Sequence, residues 1–334
     1  MKKNIKIIIL FVSPLIISGV SLFLGPYKIT PVMTIKIFLN ETFHIFDLKD
    51  IPEKAIIMDI RLPRILLAGV VGAGLSGSGV VLQGIFRNPL VDPFILGISA
   101  GAAFGCAITV GFFPDWSIQF NAFVFGLIAV GLAYTIALSQ GEISRLPLIL
   151  SGVIVSAFFQ ALVSIVKFLV DPHKLQAIVF WLMGSFSLSD WRIFKIAFLG
   201  VSIGLLPVFL MRWRLNVLSL SEEEAKSLGV NVKRDRLIFI VFSTLAVATA
   251  TSVCGIIGWV GLMVPHLVRM MIGPDHKILF PLSLTTGASY MILADTISRS
   301  ITSFDIPVGI ITALTGAPFF LYLMKKGGKE AWGK

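Results

Sequence analysis

Residues 212–236 read RWRLNVLSLSEEEAKSLGVNVKRDR, a polar island in a chain otherwise dominated by long apolar runs. The island holds a helix with clear punctuation. Ser221 with Glu224 forms a Ser-x-x-Glu capping box, and Ser219 with Glu222 offers a competing one. Glu222, Glu223 and Glu224 crowd the first turn, where the helix dipole favours anions. Ala225, Lys226, Ser227 and Leu228 complete the helix, and Gly229 supplies a left-handed stop. A helix this short is not stable alone in water, so it leans on another surface.

The flanking sequence sets the class. Of 334 residues, 56% are hydrophobic and only 14% charged, and the mean hydropathy is +0.92. A soluble domain carries about 25% charged residues, so the composition specifies an integral membrane protein, and the span-length apolar runs make it all-α. Cys106 and Cys254 both lie in apolar runs and read as small core residues rather than a disulfide or metal framework. The N-terminal stretch has a basic start and an apolar core but no clean small-x-small cleavage site. Its length of roughly 20 residues fits an uncleaved first span.

Runs of span length fall at about 5–25, 62–85, 94–113, 118–138, 146–169, 192–211, 237–254, 256–272, 278–298 and 306–324, at ~20 residues per crossing. Gln176–Leu188 is too short to cross and lies at an interface, flanked by Trp181 and Trp191. The two runs between Leu237 and Ile272 share too few residues for two full crossings. Gly255, Gly258, Gly261 and Pro265 interrupt them, so one is short or broken. The Asp171–Lys174 run reads as a solvated outer loop.

The net charge of +10 is a topology signal. With the N-terminus inside, most of the 28 basic residues fall in cytoplasmic segments, the island among them, which places both termini in the cytoplasm. Nucleic-acid binding is thereby excluded as the source of the charge. The ten runs divide into two halves of opposite orientation, about 1–190 and 191–326. Each half is a span, a polar linker and four close-set spans, within one transmembrane domain covering 1–334. Inverted repeats of this kind are typical of transporters.

Small residues recur every four positions in the second run: Gly69, Ala73 and Gly77, and Ala68, Gly72 and Ser76. Such stripes let helices pack backbone to backbone in lipid. Asp295 and Arg299 are four apart and can pair along one helix face. His266 is a lone histidine with no second ligand at metal spacing, so no metal site is expected. No phosphate-binding Gly-rich loop ending in Lys-Ser/Thr is present, so any ATPase is another chain.

Four blocks carry a resemblance: RLPR with QGIFRNPLVDPFILGISAGA; FWLMGSFSLSDW; LSLSEEEAKSLGVNV; and GIIGWVGLMVPHLVRMMIGPDHKILFP with LADTISR and DIPVGIITALTGAPFFLYLMKK. Together they resemble the permease subunits of ABC importers for iron-siderophores, haem and cobalamin, the BtuC/FecCD family. The resemblance runs from Arg61 to Lys326. It implies a BtuC-like fold of ten helices in a prokaryotic inner membrane and a second permease copy. It also implies two cytoplasmic ATPase subunits that hold ATP-Mg, an extracytoplasmic substrate-binding protein, and no cofactor on this chain. By the same resemblance, residues 221–229 are the coupling helix that enters a cleft of the ATPase. Arg61, Arg64 and Arg299 are outer arginines that receive glutamates of the binding protein, the plain alternative for each being a snorkelling anchor at a helix end. Glu142, Ser144 and Arg145 fall in the region that closes the inner gate, and the fifth and tenth spans wall the pathway. The rival reading, an ion-gradient-driven secondary transporter, requires coupling charges at mid-membrane. Apart from Asp295 and Lys167, the runs carry almost none.

Overall fold

The structure is a computed structural model and describes residues 3–43, 51–139, 145–302 and 304–326. In chain order the α-helices are α1 (Lys3–Phe23), α2 (Pro31–Phe43), α3 (Pro52–Ala55), α4 (Leu62–Phe86), α5 (Ile98–Phe112), α6 (Ile118–Leu138) and α7 (Arg145–Leu169). They continue as α8 (Pro172–Leu182), α9 (Trp191–Leu218), α10 (Glu222–Ser227), α11 (Val232–Cys254), α12 (Val260–Ile272), α13 (His276–Ser300) and α14 (Val308–Lys326). No strand occurs among the described residues. Among the described residues, seven helices are long and apolar enough to cross a membrane, and Ile98–Phe112, Val260–Ile272 and Val308–Leu323 are shorter apolar helices. Each of the expected apolar runs therefore coincides with a helix.

Helix α4 is the axis of the packing, with α13, α9, α11 and α12 around it. The small-residue stripe explains how its neighbours come so close. A Cβ on Gly72 would lie 2.2 Å from the Gly287 carbonyl oxygen, and one on Gly79 would lie 1.9 Å from that of Gly261. Contacts this short admit only glycine, and they bring hydroxyls within reach of backbone on the next helix. Ser76 Oγ donates to the Ser283 carbonyl at 2.7 Å, and Ser78 Oγ to that of Ser243 at 3.1 Å.

Three local features differ from the sequence reading. The linker after the first span, about residues 26–61, is largely folded over its described part. Lys54 pairs with Glu41, and Ile29, Ile37 and Ile57 form a small cluster of their own. A π-helical segment, Ile56–Arg61, then joins α3 to α4, so the second span begins about three turns earlier than its apolar run. Asp171–Lys174 is not a loop but the start of α8. The Asp171 carboxylate accepts from the His173 and Lys174 amides at 3.0 and 3.1 Å, and Lys174 Nζ donates to the Gly111 carbonyl at 2.8 Å. Most of the 212–236 island is helical as well, as the last turns of α9 and the first of α11.

The interruption expected between Leu237 and Ile272 lies at residues 255–259, leaving α12 only 13 residues long. Gly255 (φ 76°) and Trp259 (φ 74°) carry the chain through the break. Irregular backbone at this depth is tolerated where protein covers it, and protein does so here. The Ser185 amide donates to the Cys254 carbonyl at 2.8 Å, and Gly184 (φ 72°) packs on the Ile256 carbonyl. Gly309, at the start of α14, sits against the Met183 carbonyl, where a Cβ would be 2.2 Å away.

Candidate functional site

Two polar clusters lie at opposite ends of α4 and α13. The first is built on α10. Of the two capping choices, the chain uses Ser221: the Glu224 amide donates to Ser221 Oγ at 3.2 Å, and the Ser221 amide donates to Glu224 Oε2 at 2.8 Å. Ser219 instead closes α9, its hydroxyl donating to the Leu215 carbonyl at 2.8 Å. The far end of α10 is a Schellman turn. The Gly229 amide donates to Lys226 O at 2.9 Å and the Val230 amide to Ala225 O at 3.1 Å, with Gly229 at φ 75°. Hydrogen bonds from Ser221 hold the Glu224 carboxyl below the usual range, with help from the charge of Arg87.

Only Ala225 of this helix is buried; Glu222, Glu223, Glu224, Lys226, Ser227 and Leu228 all face outward. What keeps so exposed a helix in place is a set of ties to its flanks. Arg236 Nη2 donates to Glu222 Oε1 at 2.9 Å. Arg214 Nη1 reaches both oxygens of the fully buried Asp235, at 3.0 and 2.9 Å, clamping the end of α9 to the start of α11. Arg87, the left-handed residue that ends α4, donates to the Leu218 carbonyl at 3.1 Å. Asn216 bonds Asp275 at 2.7 Å and the His276 amide at 2.9 Å, joining α9 to α13. The Lys277 amide and Asn216 lower the Asp275 carboxyl from its ordinary value. The result is a short helix projecting from a braced platform.

The second cluster gathers Arg61, Arg64, Asp295, Arg299 and Asp305. Arg64 lies between two carboxylates: Nε donates to Asp295 Oδ1 at 2.9 Å and Nη1 to Asp305 Oδ2 at 2.7 Å. Arg299 Nε lies 3.5 Å from Asp295 Oδ2, the i,i+4 pair expected from the sequence. The other donors point at the end of α1. Arg61 Nη1 donates to Leu22 O at 2.6 Å and Nη2 to Tyr27 O. Arg299 Nη1 donates to Leu24 O at 2.5 Å and Nη2 to Ser21 O at 2.6 Å. A helix C-terminus presents unpaired carbonyls and a partial negative charge, and here guanidinium groups from two other helices supply the cap.

All three arginines are therefore buried, at 4%, 7% and 4% exposure for Arg61, Arg64 and Arg299. They are neither surface anchors nor open docking points as they stand, because most of their donors are taken up by the aspartates and by carbonyls at and just beyond the end of α1. Asp305, in the connection from α13 to α14, and the carbonyls of α1 are the partners that sequence reasoning missed. An acid in a short connection opposite basic helix ends was the available signal. Of the expected gate residues, Glu142 and Ser144 lie outside the described residues, as does the side chain of Arg145, whose backbone opens α7. His266 is buried against Phe320, and no group of three metal-ligating side chains occurs among the described residues.

Comparison with known proteins agrees over nearly the whole chain. The family model of the FecCD transport family matches residues 12–326. A Helicobacter pylori protein named "Probable iron chelatin transport system permease protein" is 46% identical over 321 residues, covering 95% of each chain. The molybdate import system permease protein MolB of Haemophilus influenzae is 45% identical over 283 residues, 83% of each chain. The cobalamin import system permease protein BtuC of Halobacterium salinarum is 43% identical over 281 residues, covering 82% of this chain and 75% of its own. A solved structure assigned to the metal-chelate type of ABC transporter, in an inward-facing conformation, superposes with a TM-score of 0.86 at 39% identity. It covers 97% of this chain and 99% of the other. With the family model matching most of its length, this multi-pass membrane chain belongs to the FecCD transport family.

Proposed function

We propose that this chain is the membrane-spanning permease subunit of an ATP-driven importer for a metal chelate, with an iron complex as the substrate. The observation that carries the proposal is α10, doubly capped, exposed on all but one residue and set between α9 and α11, which are themselves tied to α4 and α13. A helix built to project needs a receiving surface, and the cleft of an ATPase subunit is the partner the family supplies. The 46% identity to a relative named for iron chelatin favours iron over the molybdate and cobalamin of the other named relatives.

In this proposal the single domain, 1–334, crosses the inner membrane ten times in two inverted halves, about 1–190 and 191–326, with both termini and the 212–236 segment in the cytoplasm. Two copies pair, and two ATPase subunits bind ATP-Mg inside. Closure of the ATPases carries residues 221–229 with them and rocks the permease pair between outward and inward openings. A loaded binding protein docks on the outer rim beside Arg61, Arg64 and Arg299. Direct pairing there requires Arg64 to exchange Asp305, itself part exposed, for a carboxylate of the partner. Residues 142–145 form the inner gate.

Transport in sealed vesicles carrying the permease, its ATPase and the binding protein tests the whole reading. Iron-chelate uptake should require ATP and the ATPase subunit and should persist with an ionophore present. Uptake that continues without the ATPase and collapses with the ionophore would establish the gradient-driven alternative.

A further inference from the structure

An apolar groove of about 330 Å³ lies on the outer face of the bundle, between α4, α9 and α13. Its floor is Ala73 of α4, its walls include Leu205 of α9 and Leu284 of α13, and Phe198 and Phe209 mark its two ends along α9. The groove exists because α4 presents small residues here. A Cβ at Gly77 would lie 2.4 Å from Leu284 and 3.3 Å from Leu205, so the leucines of the two flanking helices reach down to the α4 backbone beside the groove. Phe198 and Phe209 are eleven residues apart. At 1.5 Å per residue this is about 17 Å, close to the ~15 Å depth of one leaflet of the hydrocarbon core.

The end nearer α10 carries charge. The guanidinium of Arg212 sits 4.1 Å over the ring of Phe209, the same ring that closes the groove. Arg212 donates through Nε to the Lys277 carbonyl at 3.2 Å and through Nη1 to the Phe209 carbonyl at 2.6 Å, which holds it at the mouth. Its Nη2 has no partner and Arg212 makes no ion pair among the described residues, while the charge of the exposed Lys277 acts on the neighbouring Asp275 carboxylate. Asp275 is the acid at this corner, and it is engaged by the Lys277 amide at 2.9 Å and Asn216 Nδ2 at 2.7 Å. Trp213, next along α9, is 45% exposed, an indole placed as interfacial aromatics are.

An apolar channel one leaflet deep, closed by a ring that carries the Arg212 guanidinium with Lys277 as its backbone neighbour, fits one class of ligand. We infer that it holds an anionic diacyl phospholipid of the leaflet on the α10 side, one acyl chain lying from Phe209 toward Phe198 and the phosphate meeting Arg212 and Lys277. Basic pockets between membrane helices bind anionic headgroups in this way. The lipid fills the space between α9 and α4 and binds next to the platform that holds α10. The inference depends on the membrane reading of the chain but not on transport or on any ATPase.

Native mass spectrometry of the detergent-purified full chain, with dioleoyl phosphatidylglycerol or dioleoyl phosphatidylcholine added, tests it. Phosphatidylglycerol should be retained in preference, and that preference should fall about fivefold for each of Arg212→Gln and Lys277→Gln. Ser202→Phe, which fills the groove, should reduce retention of both lipids, and Arg212→Lys should restore most of the preference. A thermal unfolding midpoint measured on each variant separates lost binding from lost fold. Equal retention of the two lipids by the wild-type chain would overturn the inference, as would an unchanged preference in folded Arg212→Gln. So would displacement of the lipid by inorganic phosphate alone. Disulfide-linked dimers of Leu206→Cys in native membranes would show a second copy on this face instead, and would equally overturn it.

Discussion

The two charged ends of the bundle use similar residues in opposite ways. At the α10 end, three consecutive glutamates and a lysine are turned outward, while the neighbours Arg214, Asp235 and Arg236 hold the base. At the other end Arg61, Arg64, Asp295 and Arg299 are almost wholly withdrawn, and their bonds run to one another, to Asp305 and to the end of α1. Exposed charges on a stiff support suit reversible contact with another chain. Buried charges are costly unless paired, so the arginine cluster reads as construction, and changes in it should register first in the stability of the chain.

The largest effect expected from this contrast is at Asp295. Asp295→Ala leaves Arg64 and Arg299 buried around a missing carboxylate and should destabilise the chain by about 3–5 kcal/mol, read as a lowered unfolding midpoint in detergent. A midpoint equal to wild type would erase the distinction between the two ends. Next, Ala225→Pro removes the bond from the Ala225 amide to Ser221 O, 3.0 Å long, and adds a helix penalty of about 3 kcal/mol. The expected outcome is normal membrane insertion with the ATPase no longer copurifying; retained copurification and transport would show that α10 is not the coupling element. Ser221→Ala removes one half of the capping box, about 1 kcal/mol, and should weaken ATPase association several-fold without altering the unfolding midpoint of the bundle.

The smallest effect is a pH dependence. Glu224 titrates below its unfolded value, so its contribution to the cap is fully present above the ordinary glutamate pKa of about 4.3 and is lost as pH falls through the lower folded value. Wild-type and Glu224→Gln chains should therefore differ in ATPase association between pH 5 and 8 and converge in stronger acid. A difference that vanishes already near neutrality would mean that the carboxylate is not the capping species.

Much of this architecture was legible because lipid imposes simple rules. Long apolar runs gave the helices, glycines at 255 and 258 marked the break, and Ser221 with Glu224 marked the cap. The fold of the linker after the first span was harder to read, since Ile29, Ile37 and Ile57 are too far apart in sequence to reveal one cluster. The arginines show the sharper limit. Their position at helix ends was readable, but whether a guanidinium turns outward or inward depends on where α1 lies, and no local pattern in α4 or α13 encodes that. The sequence was enough to pair Asp295 with Arg299, four residues away, but not to bring Arg64 to both, because that contact spans 231 residues.

The seat of α1 also sets an order of events in making the protein. Ser21 bonds Thr296, 275 residues later, and the Ser21 and Leu24 carbonyls are capped by Arg299. During synthesis the first helix leaves the ribosome long before α13 exists to receive it. At ~5–20 residues per second the wait is on the order of tens of seconds. Until then α1 has Arg61 at its end and only limited packing on α2 and α4, and the face that α13 will cover rests against lipid or the insertion machinery. Biogenesis therefore joins two helices made far apart in time, α13 closing over an α1 that has waited for it.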